Sequence, residues 1–242
     1  MLLFHGTSSE HLISIKSKGL IPRHGNGNWT VNSQGNNIVS KPGFVYLTCA
    51  YPGYFANAAV GESENYEMIV VMVDVDERLL FPDEDYIYEC SKFWNIKDGC
   101  PVLQSEDVDL FYFKDVWKDS LYNNGFVAHL GPIPPNKILD IKALSFRDFI
   151  DLGGDTVPTP MGFAFTGYKY VTNTLGFFGM SLNDFPEKRL FSWYSQIELF
   201  QEMNKRPEEM NQKILKRHGV SLETVTLGEL LESMNESEMA EI

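Results

Sequence analysis

The segment MIVVMVDV, residues 68–75, limits the fold more narrowly than any other, because it is an apolar run interrupted by a single aspartate. A run of this kind predicts a strand that is buried on both faces. Four further apolar or aromatic segments predict the accompanying strands, at residues 2–5, 44–48, 125–132 and 137–144. The chain is therefore expected to fold around a sheet.

Helices are predicted between and after these strands. Ser9 is placed to cap a helix that ends near Gly19, and residues 54–59 follow a Pro-Gly pair and begin helically. Ser145 is placed to cap a short helix after the last strand. Strands and helices thus mix along the chain, which favours the α+β class.

The remaining segments predict less regular structure. Residues 76–120 mix acids with aromatics and predict an insertion with some helix, in which residues 82–85 (PDED) cap a helix and face solvent. Glycine, threonine and aromatic residues dominate residues 153–184, which predicts irregular strands or a loop packed by its own rings. After a proline near its start, the segment of residues 185–242 has apolar residues at helical spacing, which predicts a helical C-terminal appendage. This appendage follows a domain of residues 1–184.

Charge and cysteine content exclude several classes of protein. The 3 cysteines have unrelated spacings, so neither a disulfide framework nor a metal site is expected. A formal net charge of −13 disfavours broad binding to nucleic acid or anionic lipid, although residues 1–60 carry four basic residues against one acidic residue and are able to take an anionic ligand. Without a membrane-spanning or signal segment, the expected location is the cytoplasm.

One order of motifs carries the functional signal. A strand ends in His5-Gly6-Thr7, a helix ends at Gly19, and the next strand contains Tyr46 and leads into a helix rich in aromatic and small residues. This order resembles the ADP-ribosyltransferase superfamily, in the branch with histidine and tyrosine in the nicotinamide pocket, typified by the poly(ADP-ribose) polymerases and diphtheria toxin. The resemblance implies a split antiparallel sheet with flanking helices, and NAD as the co-substrate.

The resemblance also implies roles for particular residues. His5 would bond the nicotinamide ribose, Gly6 would hold the carboxamide with its backbone, and Tyr46 would form one wall of the ring site. The second stacking aromatic lies on the following helix, where Tyr54 and Phe55 are the candidates, with Tyr54 better placed. Thr7 completes the motif, and Arg23, in the long loop after the first helix, either pairs with the pyrophosphate or is solvated.

These residue types suit the chemistry independently of the family. When nicotinamide leaves, the ribose becomes a cation like an oxocarbenium ion. A site for this reaction needs a flat aromatic slot for the ring, backbone groups for its amide and a hydrogen-bonding side chain at the ribose hydroxyls. A strand with His5 and Gly6 beside a strand with Tyr46 supplies all three.

The sequence departs from the family at one position. Polymerase-like members carry a glutamate immediately before the later strand, whereas the matching positions here are Asn124 and Gly125. Because many members that transfer one ADP-ribose lack this glutamate, single transfer is expected, with Asn124 as the residue in the catalytic position. An acid from elsewhere, such as Asp119, or an inactive domain are the alternatives.

The expected function is transfer of ADP-ribose from NAD to a macromolecular acceptor, protein or nucleic acid, as a toxin, defence or host-modifying factor. A first alternative is an enzyme similar to the RNA 2′-phosphotransferases, because residues 125–141 resemble their paired closing strands as well. A second is a non-catalytic binding domain whose C-terminal helices engage a protein partner.

Overall fold

Six strands form one open antiparallel sheet, seen in a computed structural model that describes residues 1–22, 40–61, 66–98, 103, 108–158, 160–185, 188–191 and 193–194. The strands are β1 Leu2–Ser8, β2 Phe44–Thr48, β3 Met68–Asp74, β4 Leu80–Pro82, β5 Phe126–Leu130 and β6 Ile138–Ala143. Their order across the sheet is β4-β5-β2-β1-β3-β6. The predicted strands are all present, and β1 and β2 lie next to each other.

Six α-helices surround the sheet in the described part of the chain. They are α1 Leu12–Lys18, α2 Pro52–Val60, α3 Glu84–Asp98, α4 Trp117–Asn124, α5 Phe146–Asp151 and α6 Pro160–Phe177. Residues Met1–Tyr194 form one compact unit. The mixed α and β architecture predicted from the sequence is therefore confirmed at this level, whereas Arg23 and most of the predicted helical appendage, residues 185–242, lie outside the described residues.

Strand β3 is the centre of the core. Its consecutive residues Ile69, Val70 and Val71 are all at most 3% exposed, which requires cover on both faces of the sheet. It pairs with β1 over the whole of both strands and with β6 on its other side. The apolar run thus has the position that the sequence predicted.

The segment predicted as an insertion contributes to the sheet. Strand β4 lies within it and pairs with β5, with Leu80 opposite His129 and Pro82 opposite Val127. Because Pro82 cannot donate a ladder hydrogen bond, it suits the edge of the sheet that β4 occupies. The prediction of an insertion with some helix was therefore incomplete, since it missed this edge strand.

Helix α6 contradicts the prediction of irregular strands or a loop. Its buried residues recur with helical spacing, at Phe163, Val171, Thr174 and Leu175, all fully buried. The threonines, glycines and aromatic residues of this segment have modest helix propensity, so packing against the core stabilises the helix. At Gly167 an added Cβ would lie 2.5 Å from Nε1 of Trp193, which explains a glycine inside the helix.

The first turn after β1 also differs from the prediction. Ser8, not Ser9, caps the 3₁₀ turn Ser9–His11 that leads into α1, because its Oγ accepts from the Glu10 amide at 3.2 Å. Ser9 instead accepts from the Glu67 amide at 2.9 Å and so ties this turn to the start of β3. Among the described helices, none combines the length and the apolarity that a membrane crossing requires.

Helix α2 packs directly on β1 at Gly6. A Cβ built at this glycine would overlap the carbonyl oxygen of Pro52 and would lie 2.6 Å from the amide nitrogen of Ala56. Both contacts are with backbone atoms, so a larger residue would push α2 away from the sheet. Close packing of the helix therefore requires glycine at this position.

We expect Gly6→Ala to lower the free energy of unfolding by about 1–3 kcal/mol, because the added methyl group would overlap backbone atoms of α2 where this helix packs on the backbone of β1. Gly176→Ala is the matched control, since Gly176 is exposed on α6 and nothing lies within 4 Å of an added Cβ. This control should change the stability by less than about 1 kcal/mol. Urea unfolding measures both variants, and equal effects would contradict the packing assigned to Gly6.

Candidate functional site

The ladder between β1 and β2 is very short. In the described structure these strands pair at Phe4 opposite Thr48, whereas β1 and β3 pair along seven residues. Beyond Phe4 the described ladder between the two strands stops. We call this interruption of the ladder the gap. Gly6 lies beside this gap, two residues past the last pair.

The backbone of Gly6 points into the gap. Ser9 donates its amide to Glu67 at 2.8 Å, on the β3 side of the strand. Hydrogen-bonding groups alternate in direction along an antiparallel strand, so odd-numbered residues of β1 face β3 and even-numbered residues face β2. The N–H and C=O of Gly6 are therefore directed toward β2, side by side, as an adjacent donor and acceptor.

His5 spans the gap from the other direction. Its Nδ1 lies 2.8 Å from the backbone carbonyl oxygen of Tyr46. A carbonyl only accepts, so Nδ1 carries the hydrogen and, in the neutral ring, Nε2 is the accepting nitrogen. The bond fixes both the orientation of the imidazole and its tautomer.

The phenol of Tyr46 is held at its far end. Its hydroxyl donates to Oε1 of Glu84 and accepts from the backbone amide of Lys41 at 2.7 Å. The same amide lies 2.8 Å from Oε1 of Glu84. The half-buried ring is thus fixed by its strand at one end and by two partners at the other.

Burial and the neighbouring Glu84 charge raise the pKa of Tyr46 far above its ordinary value. The hydroxyl therefore keeps its proton at physiological pH and acts as the donor to Glu84. Burial also raises the pKa of Glu84, which is only 3% exposed. Tyr46 in this state is not an acid or base near neutrality, and its ring packs against the hydrophobic cluster that contains Phe44 and Phe81.

The imidazole and the phenol do not meet directly. Side chains alternate between the faces of a strand, so Tyr46 projects from the face that carries Phe4 and Thr48, and His5 projects from the opposite face. The contact between them runs through the main chain of Tyr46. The two residues therefore meet at the gap only through the backbone of β2, and their side chains do not face one shared pocket as the resemblance implied.

Helix α2 presents its aromatic residues near the same gap. Phe55 packs edge-on against Phe126 at the start of β5, with ring centroids 5.4 Å apart, and Tyr54 packs edge-on against Phe55 at the same distance. Burial and the Asp85 carboxylate raise the pKa of Tyr54. Both rings are half-buried, and the choice of Tyr54 as the stacking residue stays a prediction.

Three consecutive carboxylates begin α3. Oδ1 of Asp83 accepts from the Asp85 amide at 2.9 Å, so the predicted cap is present. Glu84 is buried, however, which contradicts the prediction that residues 82–85 face solvent. Glu84 is buried because β4, which directly precedes it, belongs to the sheet, and this strand was not predicted. In the described part of the chain no group of three potential ligands is arranged to hold a metal ion.

Asn124 and Gly125 stand at the position where the resemblance expects a glutamate. Asn124 ends α4, is 2% exposed, and its Oδ1 lacks a hydrogen-bond partner among the described residues. Gly125 follows with φ of +84°, a conformation that favours glycine, and its amide closes the helix on Leu121. The catalytic role of Asn124 stays a prediction. Thr7 is buried on the face of β1 that carries His5.

Comparison of the chain with protein-family models, with curated proteins and with solved structures found no match. The chemistry of the gap has to be inferred from the residues beside it.

The carboxylates at α3 make stability depend on pH. Burial, with the charges of Asp85 and Glu84, raises the pKa of Asp83 above its ordinary 3.8. At a pH between the two pKa values, the folded chain binds more protons than the unfolded chain. The contribution of protonated Asp83 to stability is therefore complete below pH 3.8 and is lost as the pH rises through the raised pKa.

We therefore expect Asp83→Asn, which keeps the capping oxygen and removes the charge, to gain stability relative to the unchanged chain as the pH rises from about 4 to about 8. Urea unfolding of both proteins across this range measures the difference. A difference that is constant with pH, or that shrinks, would contradict the raised pKa.

Proposed function

We propose that residues 1–194 form an ADP-ribosyltransferase-like domain that uses NAD and transfers a single ADP-ribose to a macromolecular acceptor, protein or nucleic acid. The observation that carries this proposal is the gap between β1 and β2, where the Gly6 backbone faces β2 and His5 is bonded to the Tyr46 carbonyl. An antiparallel sheet that opens at this point agrees with the split sheet of the superfamily.

The nicotinamide end of NAD matches the gap in its chemistry. A carboxamide offers one acceptor and one donor side by side, which complements the adjacent N–H and C=O of Gly6. The flat ring would lie along Tyr46, with Tyr54 of α2 as the second aromatic surface. Backbone groups on a paired strand are rigid, so they would hold the amide in one orientation.

The ribose would extend through the gap toward His5. With Nδ1 donating to the Tyr46 carbonyl, Nε2 of the neutral ring is suited to accept from a ribose hydroxyl. This arrangement gives the histidine a positioning contact with the sugar and requires no proton transfer by the imidazole. His5 and Tyr46 would then act from opposite faces of the sheet on two parts of one ligand.

The reaction breaks the bond between C1′ of the ribose and N1 of the pyridinium ring. The bonding electron pair passes into the ring, and neutral nicotinamide leaves. C1′ becomes electron-poor, and a lone pair on an oxygen or nitrogen of the acceptor forms the new bond, after which the acceptor loses its proton to water. Preorganised groups that stabilise the developing cation supply most of the acceleration in reactions of this type.

Single transfer is proposed because the family's glutamate is absent. In polymerase-like members this residue bridges ribose and acceptor, whereas Asn124 here is buried and Gly125 closes a helix. A chain of ADP-ribose units requires the enzyme to accept its own product as an acceptor. Without the bridging carboxylate, one transfer per acceptor site is the expected outcome.

The test uses the full chain, NAD labelled in its adenylate phosphate, and a cell lysate. We expect label in macromolecules, with protease or nuclease sensitivity identifying the acceptor class. His5→Ala should reduce the rate by about 100-fold or more, because it removes both the bond to Tyr46 and the ribose contact. His11→Ala, on the turn after β1, is the control and should leave the rate unchanged.

Two results would contradict the proposal. One is labelling or nicotinamide release that survives His5→Ala at full rate. The other is NAD binding without any release of nicotinamide, which would favour a non-catalytic binding domain. Removal of a 2′-phosphate from RNA, with no stable label on any acceptor, would instead favour the phosphotransferase.

A further inference from the structure

The chain carries a buried carboxylate beside the start of β5. After Pro82, the Asp83 amide donates to Oγ of Ser120 at 3.0 Å, and that Oγ donates to the Phe126 carbonyl at 2.8 Å. These bonds hold the first turn of α3 next to the first residue of β5. Glu84 follows Asp83 in the chain, so its backbone lies close to the start of β5.

The partners of Glu84 are neutral. Its Oε1 accepts from the Tyr46 hydroxyl and lies 2.8 Å from the Lys41 amide. These donors orient the carboxylate, but they carry no positive charge that would cancel its own. Burial raises the pKa of Glu84 and so disfavours its charged form. When the carboxylate is ionised, however, its charge at 3% exposure is poorly screened by water and acts strongly on groups nearby.

This charge reaches the ring site through Tyr46. A phenol that donates to a carboxylate gains electron density in its ring, and the face of an electron-rich ring attracts cations. The nicotinamide ring of NAD is a pyridinium cation, whereas released nicotinamide is neutral. A ring site with Tyr46 as one wall would therefore distinguish substrate from product by charge.

We propose that Glu84 is a positioning residue that, through its hydrogen bond to Tyr46, makes the ring site prefer the cationic nicotinamide of NAD to the neutral product. The inference rests on the proposed function, because it assumes that Tyr46 lines a nicotinamide site. It explains why a carboxylate is buried against a tyrosine hydroxyl at the edge of the candidate site. It also predicts that the site binds the nicotinamide ring more weakly once the bond between the ring and the ribose is broken.

Two small probes isolate the effect of charge. The cation 1-methylnicotinamide carries the pyridinium charge, and nicotinamide is its neutral counterpart with the same carboxamide. Calorimetry with the full chain measures the affinity for each. The unchanged chain should prefer the cation, and Glu84→Gln, which keeps an accepting oxygen without the charge, should weaken cation binding about tenfold and leave nicotinamide binding within about twofold.

Matched variants separate this role from a structural one. Glu89→Gln removes the same charge from an exposed position on α3 that is paired with Lys92, and it should change neither affinity. Tyr46→Phe keeps the ring and removes the link to Glu84, so it should lose the preference for the cation in the same way. Thermal unfolding of each variant establishes that it is folded at the temperature of the measurement.

The outcomes are distinguishable. Equal weakening of both probes in Glu84→Gln would assign the residue a structural role and overturn the inference, as would a preference that the variant retains. If the unchanged chain binds nicotinamide and turns over NAD but shows no preference for the cation, the inference fails and the proposed function stands. If the unchanged chain binds neither probe nor NAD, both fail.

Discussion

The hydrogen bond between Nδ1 of His5 and the carbonyl of Tyr46 is the interaction on which the candidate site depends. Two neighbouring strands that diverge leave backbone groups without ladder partners, and such groups are costly when water is excluded. The imidazole supplies a partner for β2 at this point, so the gap stays open without an orphaned carbonyl. Gly6 keeps its N–H and C=O in the same gap, with α2 packed closely behind it. The interruption of the ladder therefore leaves the Tyr46 carbonyl with a hydrogen-bond partner.

The second wall of the gap is tied to the far edge of the sheet. The Tyr46 hydroxyl reaches Glu84 at the start of α3, and the backbone between β4 and α3 is fastened to β5 through Ser120. The ring is thereby held at its outer end by the Glu84 carboxyl. Burying carboxylates opposes folding as the pH rises, as the raised pKa values of Asp83 and Glu84 indicate. A cationic ligand on which these carboxylates act would explain why they are buried despite this cost.

Hydrophobic pattern was sufficient to predict much of this fold. The apolar run of β3, the segment of β2 and the two later strands were predicted because burial on one or both faces leaves a direct signal in sequence. Strand β4 was missed because three residues give no periodicity, and with it the burial of Glu84 was missed. Helix α6 was missed because its glycines, threonines and rings have weak propensity, and packing against the core decides its conformation. His5, Gly6 and Tyr46 were predicted from the order of motifs, but their faces depend on strand register, which sequence alone does not supply.

The central claim is that the Gly6 backbone forms a docking point for a carboxamide inside an opened ladder. Amide NMR of the ¹⁵N-labelled chain, titrated with nicotinamide, tests it most directly. The claim predicts a saturable downfield shift of the Gly6 amide proton, as a new hydrogen bond forms, while the exposed Gly176 amide on α6 stays in place. A Gly6 resonance that does not move at saturating nicotinamide, or that moves no more than Gly176, would contradict the claim.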